Sequence, residues 1–113
     1  MMATKTTLVR YRTTEEYGDA NQAAIRAVFA ELRRRGPRGV RYACHRLPDG
    51  VTFVHIATIA SAADGPHPIT SLPAFEAFQA ALRGNTVDAP VSTELRAFET
   101  YGEDLARTGD DAT

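Results

Sequence analysis

Residues 47 to 51 read Leu-Pro-Asp-Gly-Val, between two apolar, β-rich runs from Val40 to Leu47 and from Val51 to Ile59. Proline presets the first central angle of a type I turn, and Gly50 accepts the positive φ of the bulge that follows such turns. The pattern predicts a β-hairpin. Pairing Leu47 with Val51 sets His45 opposite Phe53 and Ala43 opposite His55. In that register one face carries Val40, Tyr42, Cys44, Val54 and Ile56, and the other Arg41, Ala43, His45, Phe53, His55 and Ala57.

The rest of the chain arranges itself around this hairpin. Thr6 to Arg12 is β-branched and aromatic-rich, which reads as a first strand. Thr13 and Glu16 have the spacing of a capping box, and Asp19 with Gln22 offers a second helix start. Ile25, Val28, Phe29 and Leu32 then recur at helical spacing. Arg33, Arg34 and Arg35 complement the dipole at the helix end, and Gly36-Pro37 stops it. Ser61 to Thr70 is a loop by composition. Ser71 is the expected N-cap of a second helix with Pro73 in its first turn and Leu72, Phe75, Phe78, Gln79 and Leu82 on its inner stripe; Gly84-Asn85 ends it. Val91 to Tyr101 reads as the last strand. One domain over residues 1–101 with a flexible polar tail over 102–113 is expected.

Strand, helix, strand, hairpin strand, helix, strand is the order of a ferredoxin-like βαββαβ fold in the α+β class. Right-handed crossovers place both helices on one face of a four-stranded antiparallel sheet. The hairpin strands are apolar on both faces, whereas a sheet solvated on one side alternates. Each large side chain left in water forgoes roughly 1.5–3 kcal/mol. Packing the open face against a second copy removes that cost, so a two-fold homodimer is expected.

Bulk properties exclude several function classes. A net charge of −1 argues against a general nucleic-acid binder. A single cysteine, Cys44, cannot form an internal disulfide and suits a reducing, cytoplasmic setting. No apolar run is long enough to span a membrane. Dinucleotide, Walker, C-x-x-C and G-x-S-x-G motifs are all absent.

Thr7-Leu8-Val9-Arg10-Tyr11-Arg12, the Val28-Phe29-Ala30-Glu31-Leu32 helix, the Gly50-Val51-Thr52-Phe53-Val54-His55 strand and the Leu72-Pro73-Ala74-Phe75 helix start resemble the antibiotic biosynthesis monooxygenase-like group. That group lies within the dimeric α+β barrel superfamily. The resemblance runs from Thr6 to Tyr101. It implies a pocket between sheet and helices that takes a flat aromatic or other small organic ligand. It also implies oxidation of phenols or quinols without metal, flavin or other cofactor, as in some relatives. Several oxygenase relatives place a tryptophan in the site; this chain has none.

Within that frame His45 and His55, diagonal neighbours in the register above, are the candidate proton acceptors. Two histidines without a nearby carboxylate or thiolate do not make a zinc set, so no metal site is expected. Asn21 extends the apolar stripe of the first helix and, if core-facing, needs a polar partner. With Phe29, Tyr42, Phe75 and Phe78 it makes the candidate ligand-binding set. Cys44 reads as a packed thiol. Arg10 and Tyr11 face opposite ways, so one of them enters a packed layer, and His67 reads as a solvent-facing loop residue. Two function classes fit: a cofactor-independent oxygenase-like enzyme acting on a small aromatic or polyketide-like compound, and a non-catalytic dimeric domain that binds a small molecule or serves in assembly.

Overall fold

A computed structural model describes residues 3–61 and 66–102; the predicted tail beyond 102 and the centre of the Ser61–Thr70 loop lie outside them. Strand β1 (Ala3–Thr13) leads through a 3-10 turn (Glu15–Tyr17) into helix α1 (Gly18–Arg35). The hairpin strands β2 (Val40–Arg46) and β3 (Thr52–Ser61) follow, then α2 (Pro73–Leu82) and β4 (Thr86–Leu95). All pairings are antiparallel, in the order β2-β3-β1-β4. The core lies between the sheet and the two helices, where Tyr11 and Phe53 meet Ile25, Val28, Phe78 and Leu82. The βαββαβ expectation is met, with β3 and β1 in the centre of the sheet.

The hairpin forms with a different register from the expected one. Gly50 takes φ +78° and donates its N–H to the Leu47 carbonyl at 2.9 Å, as the turn chemistry requires. Leu47, however, donates to Thr52 and not to Val51. Both carboxylate oxygens of Asp49 explain the shift. They accept the N–H groups of Val51 and Thr52 (2.9 Å each) and the Thr52 hydroxyl (2.6 Å). The Val51 carbonyl is taken by the N–H of Thr13 on β1 at 2.8 Å, which draws Val51 out of the hairpin ladder. Cys44 therefore faces His55 and Tyr42 faces Ala57, while His45 faces Val54. A one-residue slip exchanges the faces of one strand relative to the other. Tyr42 and Cys44 join Phe53, His55 and Ala57 beneath the helices, and His45 joins Val54 and Ile56 on the outer face. The predicted His45–His55 pair does not exist.

Helix starts also depart from expectation. The Thr13 hydroxyl bonds the carbonyls of Thr14 and Val51, so the Thr13–Glu16 capping box does not form. Gly18 opens α1 against the hairpin, where a Cβ would stand 2.5 Å from the Gly50 carbonyl oxygen and 2.6 Å from Arg46 Nη2. At α2 the Ser71 hydroxyl bonds the His67 carbonyl and caps nothing. The cap comes from the other helix: Glu31 of α1, itself buried, accepts the Ala74 N–H at 3.0 Å and pairs with Arg35 at 2.8 Å. One carboxylate thus ties two helices together, sitting where the dipole of α2 favours negative charge.

The last strand runs over Thr86–Leu95 and not Val91–Tyr101. The strand includes Pro90, which is accommodated because β4 is an edge strand, and proline is tolerated on edges and at bulges. The β1–β4 register shifts between the Arg10 and Arg12 pairs, the stretch in which Pro90 falls. No helix among the described residues is long and apolar enough to cross a membrane.

Candidate functional site

Alternation along each strand decides what lies beneath the helices. Tyr11, Phe53, His55, Tyr42 and Cys44 all point inward from three adjacent strands. Their polar atoms form one chain. Asn21 Nδ2 donates to the Tyr11 hydroxyl at 2.8 Å, and that hydroxyl lies 2.7 Å from His55 Nε2. On the other side of the ring, His55 Nδ1 lies 2.8 Å from the Tyr42 hydroxyl and 3.1 Å from Cys44 Sγ. Both ring nitrogens of His55 are therefore engaged.

Aromatic packing fixes this chain in place. Tyr11 stacks on Phe53 with centroids 5.6 Å apart, and Tyr42 stacks on Phe29 at 4.9 Å. The His55 ring leans on Phe78 at 5.6 Å, and Phe75 lies 5.5 Å beyond. Such offset and tilted contacts restrict ring rotation as well as burying area.

Burial holds every member of the chain neutral. His55 is 5% exposed, and loss of solvation, aided by the charge of His45, lowers its pKa to about 4. Burial raises the Tyr11 phenol well above its ordinary range, only partly offset by the Asn21 hydrogen bond. Tyr42 rises for the same reason, with Cys44 adding to the effect. The Cys44 thiol is pushed up to about 12 by burial, against the hydrogen bond from Tyr42. At neutral pH the imidazole is uncharged, both phenols keep their protons and the thiol is not a nucleophile.

A neutral imidazole has one N–H and one lone pair, so the chain has two consistent settings. With the proton on Nδ1, His55 donates toward Tyr42 or Cys44 and accepts from Tyr11, leaving the Tyr42 O–H unclaimed within the chain. With the proton on Nε2, His55 donates to Tyr11 and accepts from Tyr42, leaving the Tyr11 O–H unclaimed. The two settings differ by a shift of one proton along each of two hydrogen bonds, Tyr42–Nδ1 and Nε2–Tyr11, with one proton entering at one phenol and one leaving at the other.

This chain forms the floor of an open cavity of about 800 Å³. β1 contributes Lys5, Thr7, Val9 and Tyr11, and β3 contributes His55, Ala57 and Ile59. Tyr42 of β2 and Pro90 and Ser92 of β4 extend the sheet side, while Phe75, Phe78 and Leu82 of α2 and the residues from Pro66 to Thr70 close over it. The size suits a drug-sized organic ligand. Of the candidate residues, His55, Tyr42, Phe75 and Phe78 line this cavity. Asn21 and Phe29 do not. Asn21 is fully buried behind Tyr11 and touches the site through that hydroxyl, and Phe29 backs the Tyr42 ring. His45 is exposed on the far face of the sheet.

Tyr11 and Cys44 are the members that sequence reasoning left out. Alternation marked Tyr11 or Arg10 as inward but not which, and Arg10 proves to be the exposed one. Cys44 was assigned to the face opposite His55 by the hairpin register. His67 also lines the cavity, where its Nδ1 accepts the N–H groups of Ile69 and Thr70 at 3.1 Å each. Among the described residues, no group of three or more His, Cys, Asp or Glu side chains is placed to hold a metal ion.

No family model matches the sequence, and no curated protein matches it. Solved structures do match the fold. Rv0793 from Mycobacterium tuberculosis superposes with a TM-score of 0.69 at 17% identity, over 88% of this chain and 100% of that one. A Caulobacter crescentus protein whose name proposes it as an antibiotic biosynthesis monooxygenase gives 0.70 at 18%, over 87% and 92%. SnoaB from Streptomyces nogalater, a cofactor-independent oxygenase, gives 0.64 at 18%, over 88% and 98%. At these identities the likeness establishes a shared fold, the one expected from the sequence.

Proposed function

We propose that this chain is a cofactor-independent oxygenase of small phenolic aromatics, working as a cytoplasmic homodimer. The observation that carries the reading is the unbroken chain from Tyr42 through His55 to Tyr11 on the floor of the cavity. An electron-rich phenol can surrender electrons to O₂ once its proton is removed. A phenol with hydrogen at the para carbon and one O₂ give the quinone and one water, so the substrate supplies all the electrons. The protein then has to bind, orient and move a proton.

His55 is a weak base in this setting, and the chain uses it to pass the substrate's proton on to solvent and not to keep it. A phenol bound at the Tyr42 hydroxyl passes its proton to that oxygen as Tyr42 gives its own to Nδ1. Nε2 passes its proton to Tyr11, and Tyr11 releases one to water in the cavity. The chain ends in its other setting, with no residue left charged. Tyr42 is thus the group that meets the substrate, and His55 acts between the two phenols.

SnoaB, a cofactor-independent oxygenase on the same fold, supports the reading. The outer sheet face supports the dimer: Leu8, Val54 and Ile56 are only half-buried there, and Val91 and Leu95 stand beside them, exposed. The purified protein should consume O₂ with a hydroquinone or an electron-rich phenol, and His55→Ala should slow the reaction by about 10²–10⁴. A rate untouched by that substitution removes the chain from the mechanism. One observation favours a second reading, a non-catalytic binding domain: both ring nitrogens of His55 are satisfied inside the protein. Aromatic binding without O₂ consumption would establish it.

A further inference from the structure

The cavity has a charge asymmetry that its apolar walls and proton chain do not account for. Among the described residues lining it, Lys5 and Arg38 carry formal charge, and no Asp or Glu does. Lys5 pairs with Ile59 across the sheet. Arg38 lies just before β2, beside Gly39, whose carbonyl accepts the Ala60 N–H at 2.8 Å. Both cations therefore belong to the Ile59–Ala60 end of β3. Four arginines elsewhere meet acids: Arg12 with Asp88, Arg34 and Arg35 with Glu31, Arg46 with Asp19. No ion pair among the described residues engages Lys5 or Arg38.

The same cavity carries a third donor. His67 uses the Nδ1 lone pair to accept two backbone N–H groups, so its neutral ring carries its proton on Nε2. Lysine, arginine and an imidazole N–H offer donors and positive charge, with no carboxylate among the described lining residues to neutralise them. His55 lies four positions from Ile59 on β3, which places the proton chain on the order of 13 Å from the cationic end. Between the two run the apolar walls of Val9, Ala57 and Phe75.

We propose that Lys5 and Arg38 form an anion clamp, and that the cavity's ligand is a flat aromatic bearing an acidic substituent at the end remote from His55. The acid is a carboxylate or a group of equal charge. It lies at the Ile59–Ala60 end while the ring system reaches toward the phenols. This rests on the cavity being the ligand site but not on any reaction taking place there.

Binding of a matched pair, 2-naphthoate and its neutral isostere 2-naphthamide, tests the clamp by titration calorimetry at low and high salt. The naphthoate should bind tighter by about tenfold at low salt, and the margin should shrink as salt screens it. Lys5→Gln with Arg38→Gln should abolish the margin while leaving naphthamide affinity unchanged, and Arg38→Glu should reverse the preference. Both side chains are exposed, so the variants should keep the parent's circular dichroism and melting temperature. Equal affinity for the two probes, or a margin that survives the double substitution, overturns the clamp. O₂ consumption with an uncharged hydroquinone is measured separately, so loss of the oxygenase reading and loss of the clamp give different results.

Discussion

Replacing Tyr11 with phenylalanine removes one oxygen atom from the centre of the buried chain and changes almost nothing in volume. That oxygen accepts the Asn21 amide N–H at 2.8 Å and lies 2.7 Å from His55 Nε2. Asn21 is fully buried, and its Oδ1 already lacks a partner among the described residues. Tyr11→Phe leaves the amide nitrogen without one too, and an orphaned buried donor costs about 1–3 kcal/mol. His55 Nε2 loses the same partner, in a hydrogen bond that is itself buried, which adds to the cost. The expected loss is about 2 kcal/mol, equivalent to a fall in Tm of about 10 °C for a domain of this size. Urea unfolding followed by circular dichroism at fixed protein concentration measures it, with an unchanged m-value showing that both end states are intact. Combining Tyr11→Phe with Asn21→Leu removes both partners and the existing orphan, so the double variant should be more stable than Tyr11→Phe alone. A Tyr11→Phe protein within about 0.5 kcal/mol of the parent, the range of an ordinary surface change, would refute the account of Asn21.

Acid should destabilise the fold through His55. Its native pKa, about 4, lies below the ordinary value of 6.5, so the unfolded chain binds the extra proton first. Stability should be full above pH 6.5 and fall by roughly 3 kcal/mol as pH drops to 4, whereas His55→Gln should flatten that slope. Melting curves from pH 7 to 4.5 check this; an equal slope in both proteins would contradict it. Gly18→Ala should lower stability by about 1–3 kcal/mol although alanine favours helices, because the new methyl meets the Gly50 backbone oxygen, which cannot swing aside. Chemical denaturation reads it, and a stabilised variant would show that the α1–hairpin contact is looser than described. Glu31→Gln should melt earlier than the parent at pH 7, and the difference should shrink as acid protonates the carboxylate. The α2 backbone N–H and the adjacent arginines lower the Glu31 pKa, so its contribution exists only while the carboxylate is ionised.

The contrast between what could and could not be read from the residues follows the range of the interactions. Ile25 and Val28 declared α1, and Pro48 and Gly50 declared the hairpin, because helix period and turn chemistry are local. The hairpin register is local only in part. Asp49 holds Val51 and Thr52 within the turn, and Thr13, nearly forty positions earlier, takes the Val51 carbonyl from the ladder. Together they set which hairpin residues enter the cavity: His45 and His55 do not pair, while His55 and Tyr42 both line it. Glu31 carried no visible signal either, since its partner is a backbone N–H of the second helix.

Strand order has a consequence for how the molecule is made. Among the described strands β1 is made first and lies between β3 and β4, and β4 is made last. Until residues 86–95 dock, β1 presents a bare edge of unpaired N–H and C=O groups, the kind of edge that templates association between chains. The cavity is equally unfinished, because Pro90 and Ser92 supply part of its lining. Ligand binding and edge protection therefore arrive in the same step. A ligand that favours the completed cavity would also hold β4 in place, drawing the population away from the form most prone to aggregate.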